Sequence, residues 1–275
     1  MTTPARTAAL LLTILALLLF ASPATAQRSE QDWLNSCERQ TDRADRVVHC
    51  ELRVTTMALA AGALNIDAAP NGGIIVRGGD VSSVAVSAGI QVQAADRGAA
   101  QAIARGIRVA AANGTLRAEG PSQGRGESWS VTFHVTVPHH TNLDLATVNG
   151  SLSVSDVSGR IRAETTNGPL TLERLAGDVH GRTSNGPLTV ALAGSRWDGA
   201  GIDVETHNGP LRLIVPEGYS AALEAGTTNG PLNLAFPVTA TLQGRRTNQI
   251  NAVLGSGGPP IRAVTSNGPL TLVRP

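Results

Sequence analysis

One tetrapeptide limits most of what this chain can fold into. Asn-Gly-Pro-Leu begins at Asn167, Asn185, Asn208, Asn229 and Asn267, and the variant Asn149-Gly150-Ser151-Leu152 precedes them. The Asn-to-Asn steps are 18, 18, 23, 21 and 38 residues, the last about two steps of the same size. A period near 20 residues marks a stacked array, in which each repeat is one structural unit and buries its apolar face only against its neighbours.

Aligned on the asparagine, the repeats share a phase. Six residues earlier stand Leu143, Ile161, Val179, Ile202, Leu223 and Ile261, and two earlier always a threonine: Thr147, Thr165, Thr183, Thr206, Thr227 and Thr265. Aliphatics return three and five residues later, as in Leu170 with Leu172 and Leu188 with Val190. This alternation predicts two short strands per repeat, each with one buried face. Asn-Gly commonly closes a two-residue hairpin. Here Pro169, Pro187, Pro210, Pro231 and Pro269 follow it, and proline has no N–H to donate across such a turn. The chain is therefore expected to turn a corner and move on, with glycine in a left-handed conformation and proline stiffening the exit. The expected fold is all-β, a parallel β-solenoid with rungs of about 18–23 residues.

The threonines share parity with buried positions such as Ile161 and Ala163, so they should point inward and bond corner backbone, which argues against an ice-binding array. The asparagines should form a ladder. The corner sets Thr165, Asn167, Gly168; Thr183, Asn185, Gly186; Thr206, Asn208, Gly209; Thr227, Asn229, Gly230; and Thr265, Asn267, Gly268 are thus expected to be structural. Outward columns carry Asp144, Arg162, His180, Asp203, Glu224 and Arg262, and beside them Glu164, Arg182 and Glu205. With rungs about 4.8 Å apart, opposite signs largely meet.

Residues 1–26 read as a signal peptide: Arg6, an apolar run from Ala8 to Phe20, and Ala24-Thr25-Ala26 for cleavage. No other stretch is long enough for a transmembrane segment, so none is expected after signal cleavage. Cleavage leaves 249 residues with 21 arginines and 21 acidic residues. That neutral balance, with 3% aromatics, makes nucleic acid and anionic membranes poor partners. Cys37 and Cys50 are expected to form a disulfide within a polar leader, 27–55, helical over 31–46. A less regular β section follows over 56–141, with a short helix near 95–106, and the regular solenoid occupies 142–275. A Gly-rich irregularity covers Gly255 to Pro260, and Leu270–Val273 is expected as an uncovered last rung that invites self-association.

Several of these features resemble the bacterial "putative adhesin" family. They are Asn71-Gly72-Gly73-Ile74-Ile75-Val76, the Val137-Pro138 boundary followed by Leu143-Asp144-Leu145-Ala146-Thr147-Val148-Asn149-Gly150, the Thr-Ser/Thr-Asn-Gly rungs and the late Gly255-Ser256-Gly257-Gly258. The resemblance covers residues from about 60 to 275. It implies a right-handed parallel β-helix outside the cytoplasm, without an established active site.

No nucleophile elbow, phosphate-binding loop, zinc-protease helix or regularly spaced calcium loop is present in the sequence. No cofactor or metal is expected. His139 and His140 point to opposite faces of a strand, and His180 and His207 fall in different columns. The acids Asp203, Glu205 and Glu224 stack, interleaved with arginine, as a solvated face. The longest rung carries Arg196, Trp197 and Asp198 between Gly194 and Gly199, the composition of a contact loop for a protein or glycan. Trp129 is a second candidate. The function expected is a non-enzymatic, exported adhesin-like binding protein in the periplasm, at the cell surface or secreted. Its partner would be an unidentified envelope protein or glycan. A self-assembling envelope scaffold and a carbohydrate-active enzyme are the alternatives.

Overall fold

A computed structural model describes residues 24–39, 46–59, 62–68, 70–237, 240–242 and 248–275. The expected signal segment lies outside these up to residue 23. The protein is all-β apart from two short helices. Its N-terminal part runs α1 (Ala24–Glu38), β1 (Val47–Met57), β2 (Ala63–Asp67), β3 (Ile74–Gly79), β4 (Val84–Ala94), α2 (Arg97–Gly106), β5 (Arg108–Ala112), β6 (Thr115–Glu119) and β7 (Ser128–Pro138). The repeats supply β8 (Asn142–Asn149), β9 (Leu152–Ser155), β10 (Ser158–Asn167), β11 (Leu170–Glu173), β12 (Ala176–Asn185), β13 (Leu188–Ala191), β14 (Gly201–Asn208), β15 (Leu211–Ile214), β16 (Ala221–Asn229) and β17 (Leu232–Leu234). β18 (Ala240–Leu242), β19 (Gln249–Leu254), β20 (Pro260–Asn267) and β21 (Leu270–Val273) complete the chain.

Two mixed sheets result. One has the order β1-β4-β7-β3-β9-β11-β13-β15-β21-β17, the other β18-β19-β16-β20-β14-β12-β10-β8-β2-β6-β5. From β8 to β17 successive strands alternate between the sheets, and the repeat sets the register. Ile161 pairs with Leu143 and Val179, and Asn167 with Asn149 and Asn185. Facing columns fill the space between: Leu143, Ile161, Val179 and Ile202 from one sheet, Leu152, Leu170, Leu188 and Leu211 from the other, all at most 3% exposed. Each such side chain contributes roughly 1.5–3 kcal/mol on burial.

Space does not follow sequence at the far end. β20 lies between β14 and β16, and β21 between β15 and β17, all parallel. Leu270–Val273 is therefore an interior strand, not the uncovered last rung. The end strand of its sheet is β17, where Leu234 is 40% exposed. Among the described residues the 38-residue step holds no second parallel rung; it holds β19, which pairs antiparallel with β16, and β18, which pairs antiparallel with β19. The charges agree with this order. Stacked in sequence, Asp203 would face Glu224. In the observed order Arg262 stands between them, 2.7 Å from Asp203 and 3.7 Å from Glu224.

The N-terminal section adds a rung of its own. β2 pairs with β8 and β3 with β9, through a corner at Asn71-Gly72. Beyond it β7, β4 and β1 continue the sheet with antiparallel pairings. The expected polar leader is thus a helix ending at Glu38 followed by an 11-residue strand. α1 presents Glu30, Trp33, Leu34 and Cys37 at helical spacing, and Cys37 bonds Cys50 of β1. Trp33 lies on Gly89, where a Cβ would come within 2.7 Å of the indole. α2 packs Ala100 and Ala104 into the core; Asp96 caps its start, and Arg53 donates to the Ala104 carbonyl (2.7 Å) and to that of Ile107 at its end.

Asn-Gly turns both ways in this chain, and the corners at Asn71-Gly72-Gly73 and Asn149-Gly150-Ser151 form without a proline. Asn113-Gly114 is followed by Thr115, and it closes a two-residue hairpin between β5 and β6 with φ of 52° and 72°. Thr115 has the N–H such a turn needs; Pro169 and its equivalents do not.

Candidate functional site

The corners form one continuous hydrogen-bonded edge. Asn149 donates through its side-chain amide to Asn71 (3.1 Å), Asn167 to Asn149 (2.8 Å), Asn185 to Asn167 (2.9 Å) and Asn208 to Asn185 (2.9 Å). Asn267 then donates to Asn208 and Asn229 to Asn267, both at 2.8 Å. Behind them each threonine is buried, and its hydroxyl donates to a glycine carbonyl one rung away: Thr147 to Gly72, Thr165 to Gly150, Thr183 to Gly168, Thr206 to Gly186, Thr265 to Gly209 and Thr227 to Gly268, at 2.7–3.1 Å. The proline carbonyls accept as well, for example Leu170 N–H to Pro187 and Leu188 N–H to Pro210. The missing proline N–H is never called on.

Gly268 has the positive φ expected of a corner glycine, 150°, but the others need glycine for a different reason. Gly150, Gly168, Gly186, Gly209 and Gly230 have no left-handed φ. A Cβ on Gly168 would instead sit 2.0 Å from the carbonyl oxygen of Gly150, and on Gly230 2.1 Å from that of Gly268. Rung-to-rung approach excludes a side chain.

Trp197 of the expected contact loop does not reach the surface. Trp197 is 4% exposed, sits in the core, and its indole N–H donates to the Gly177 carbonyl at 2.9 Å. Arg196 and Asp198 are exposed, but their backbone is used: Arg196 bridges to Ser220, and the Asp198 carbonyl accepts from Gly177. The extra residues of this rung close the space between the sheets, so the tryptophan cannot anchor a ligand. Sequence composition alone does not separate a projecting tryptophan from one folded inward. Trp129 is likewise half-buried, donating to the Pro121 carbonyl at 2.9 Å.

The outer face of the eleven-stranded sheet is open over the repeats. It carries a shallow depression of about 250 Å³ over β2, β8, β10 and β12, bordered by Asp67, Val148, Glu164, Thr166, Arg182 and Ser184. Ala146, lying between Asp67 and Glu164 in the strand register, leaves the gap. Val148 is 38% exposed at its edge. The charges pair both along and across strands: Arg162 with Glu164 at 2.8 Å, His180 with Asp178 at 3.1 Å, Arg182 with Glu205 at 3.5 Å. At the opposite corner Arg174 donates twice to Asp156, at 2.6 and 2.7 Å, and that hydrogen bonding holds the Asp156 carboxyl below its ordinary range. His139 meets the Asp156 carbonyl and Asp80, while His140 meets Ser158. Among the described residues no three His, Cys, Asp or Glu side chains gather as a metal site would require.

Sequence reasoning missed His134. It lies on the outer face of β7, opposite Ser87 of β4, beneath Trp33 of α1. Neither ring nitrogen nor the Ser87 hydroxyl finds a hydrogen-bond partner. Burial, helped by the charge of Arg77, lowers its pKa from 6.5 to about 4. The polar residue amid alternating polar residues of an amphipathic strand gave no sign of the helix that covers it.

These features define an all-β protein of two mixed sheets joined by asparagine-laddered corners. Distant likenesses exist among solved structures. A "putative cell adhesion protein" from Clostridium sporogenes aligns at 9% identity over 82% of this chain and 100% of that one, with a TM-score of 0.46. A "putative adhesin" from Bacteroides fragilis aligns at 11% over 82% and 97%, TM-score 0.36, and another from Parabacteroides distasonis at 6% over 80% and 97%, TM-score 0.35. Likenesses this remote decide nothing about binding. No family model matches the chain, and no curated protein does.

Proposed function

We propose that this is a non-enzymatic, adhesin-like binding protein that works outside the cytoplasm, with its stacked rungs forming a parallel β-solenoid. The observation that carries this reading is the outer face over β2, β8, β10 and β12. There Asp67, Glu164 and Arg182 ring a shallow, partly apolar depression on a hydrogen-bonded, closely registered sheet. Such a face suits a polar, extended partner such as an envelope protein or glycan. The parallel register of the rungs and the repeat period support the solenoid.

The test is binding of the purified chain to intact cells and isolated envelopes, with Val148→Glu and Arg182→Glu as face variants. Wild type is expected to sediment with the envelope and both variants to lose at least tenfold in affinity, about 1.4 kcal/mol. Equal binding by all three would remove this face as the contact surface. Protection of the native protein from added protease on intact cells would confine any partner to the space beneath the outer barrier.

A further inference from the structure

The segment Pro260–Val273 occupies a slot with two walls. β20 is hydrogen-bonded to β14 on one side and β16 on the other, and β21 to β15 and β17. Every link of the corner edge between Asn208 and Asn229 passes through this segment: Asn267 donates to Asn208 and accepts from Asn229, Thr265 donates to Gly209, and Thr227 donates to Gly268. Ile261, Ala263, Leu270 and Leu272 are at most 1% exposed within it. Arg262 neutralises the acid on both walls. Both walls precede the segment in the chain, so the slot can exist before the segment that fills it.

What ties the segment to its own slot is Gly255-Ser256-Gly257-Gly258-Pro259. Gly255, Gly257 and Gly258 have φ of 54°, 77° and 149°, and the serine of this link meets Ser220 at 3.2 Å through its backbone N–H. A glycine-rich link of this kind adopts other paths at little cost. All the strand pairings that hold the segment lie in the two walls. The same segment from a second copy would make every one of them again, with no new interface to build. Closing an empty slot by stacking β16 on β14 is disfavoured, because Asp203 would then face Glu224.

We propose that Pro260–Val273 is an exchangeable rung: two copies of this chain associate by each placing β20–β21 between the β14–β15 and β16–β17 walls of the other. This goes beyond the binding function proposed above and stands or falls independently of it. Glu205 and Val264 are register partners across the slot wall. At a rung spacing of about 4.8 Å, cysteines there lie within disulfide reach. Full-length Glu205→Cys and Val264→Cys chains, mixed, unfolded and refolded together without reductant, are expected to give a covalent heterodimer on a non-reducing gel. Its share should rise with protein concentration. The double variant should cross-link within one chain when dilute. Closure of the double variant with no heterodimer from the mixed singles at any concentration would overturn the proposal. Light scattering on the wild-type chain, unfolded and refolded at rising concentration, reads exchange without added cysteines. A dimer share that grows with concentration is expected; a monomer at every concentration overturns the proposal.

Discussion

The repeated corners and the N-terminal sheet solve the same problem with different means. From Asn149 to Asn267 each polar group at a corner is satisfied by the same group one rung away, so a single solution is copied along the array. β1, β4 and β7 have no such copies. They are held by individual devices: the Cys37–Cys50 disulfide, Trp33 seated on Gly89, and Arg53 closing the end of α2. The repeated corners leave their buried threonines satisfied, whereas positions that occur once do not all find partners: His134 and Ser87 in the N-terminal section, and Tyr219 and the Asn251 side-chain oxygen outside the corners. Repetition makes satisfaction cheap to specify. A one-off interface must find each partner separately, and here it does not find all of them.

The largest effect should come from breaking the array where it is not repeated. Trp197→Ala removes a core indole and its bond to Gly177, and should cost about 3–5 kcal/mol in denaturant unfolding, with envelope binding by any folded protein unchanged. A loss of binding at unaltered stability would restore Trp197 as a contact residue. Next comes the N-terminal staple. Cys37→Ser opens a loop with a sequence separation of 13 and should cost about 3 kcal/mol, felt locally as release of α1. Trp33 fluorescence should shift to the red while hydrogen exchange in β10 and β12 is unaltered. Exchange rising equally in both regions would show that the two regions unfold as one.

The same contrast explains what was legible in the sequence. Period and parity were enough for the inward threonines, the asparagine edge and the non-hairpin corners, because identical neighbours meant that one repeat described all. The cysteine pair was legible from its isolation. The inserted position of β20–β21 was not, since every rung carries the same motif and the motif cannot state its own order. The one available signal was charge: Asp203 and Glu224 are followed in sequence by Arg262, which belongs between them. All the corner glycines but Gly268 were assigned the wrong physical reason, because sequence shows that a Cβ is excluded but not whether φ or a neighbouring carbonyl excludes it.

His134 gives the third prediction, through pH. Its folded pKa of about 4 lies below the ordinary 6.5. Between those values the unfolded chain takes up a proton that the folded chain refuses. The stability involved is fully present above pH 6.5, falls as the pH drops, and is lost once the pH passes below 4. The charge acting on it is that of Arg77 on β3, and its register partner on β4 is the neutral Ser87. The whole effect should be about 3 kcal/mol. His134→Leu should flatten the decline between those pH values, measured by unfolding at fixed denaturant across the range. An unchanged slope would place the titrating group elsewhere.

The smallest effect separates repetition from redundancy. Asn185 both donates to Asn167 and accepts from Asn208, on an exposed edge. Asn185→Ala breaks two bonds, yet water can replace both, so the loss should be about 1 kcal/mol. Asn71 sits at the end of the ladder, and among the described residues its side chain is joined only by the donation from Asn149. Asn71→Ala should therefore cost about half as much by the same reasoning. If the bonds strengthen one another along the row, the central substitution will exceed the terminal one by clearly more than twofold. A ratio near two would mean that the ladder is a series of independent bonds, and that its regularity reflects copied geometry rather than cooperation between rungs.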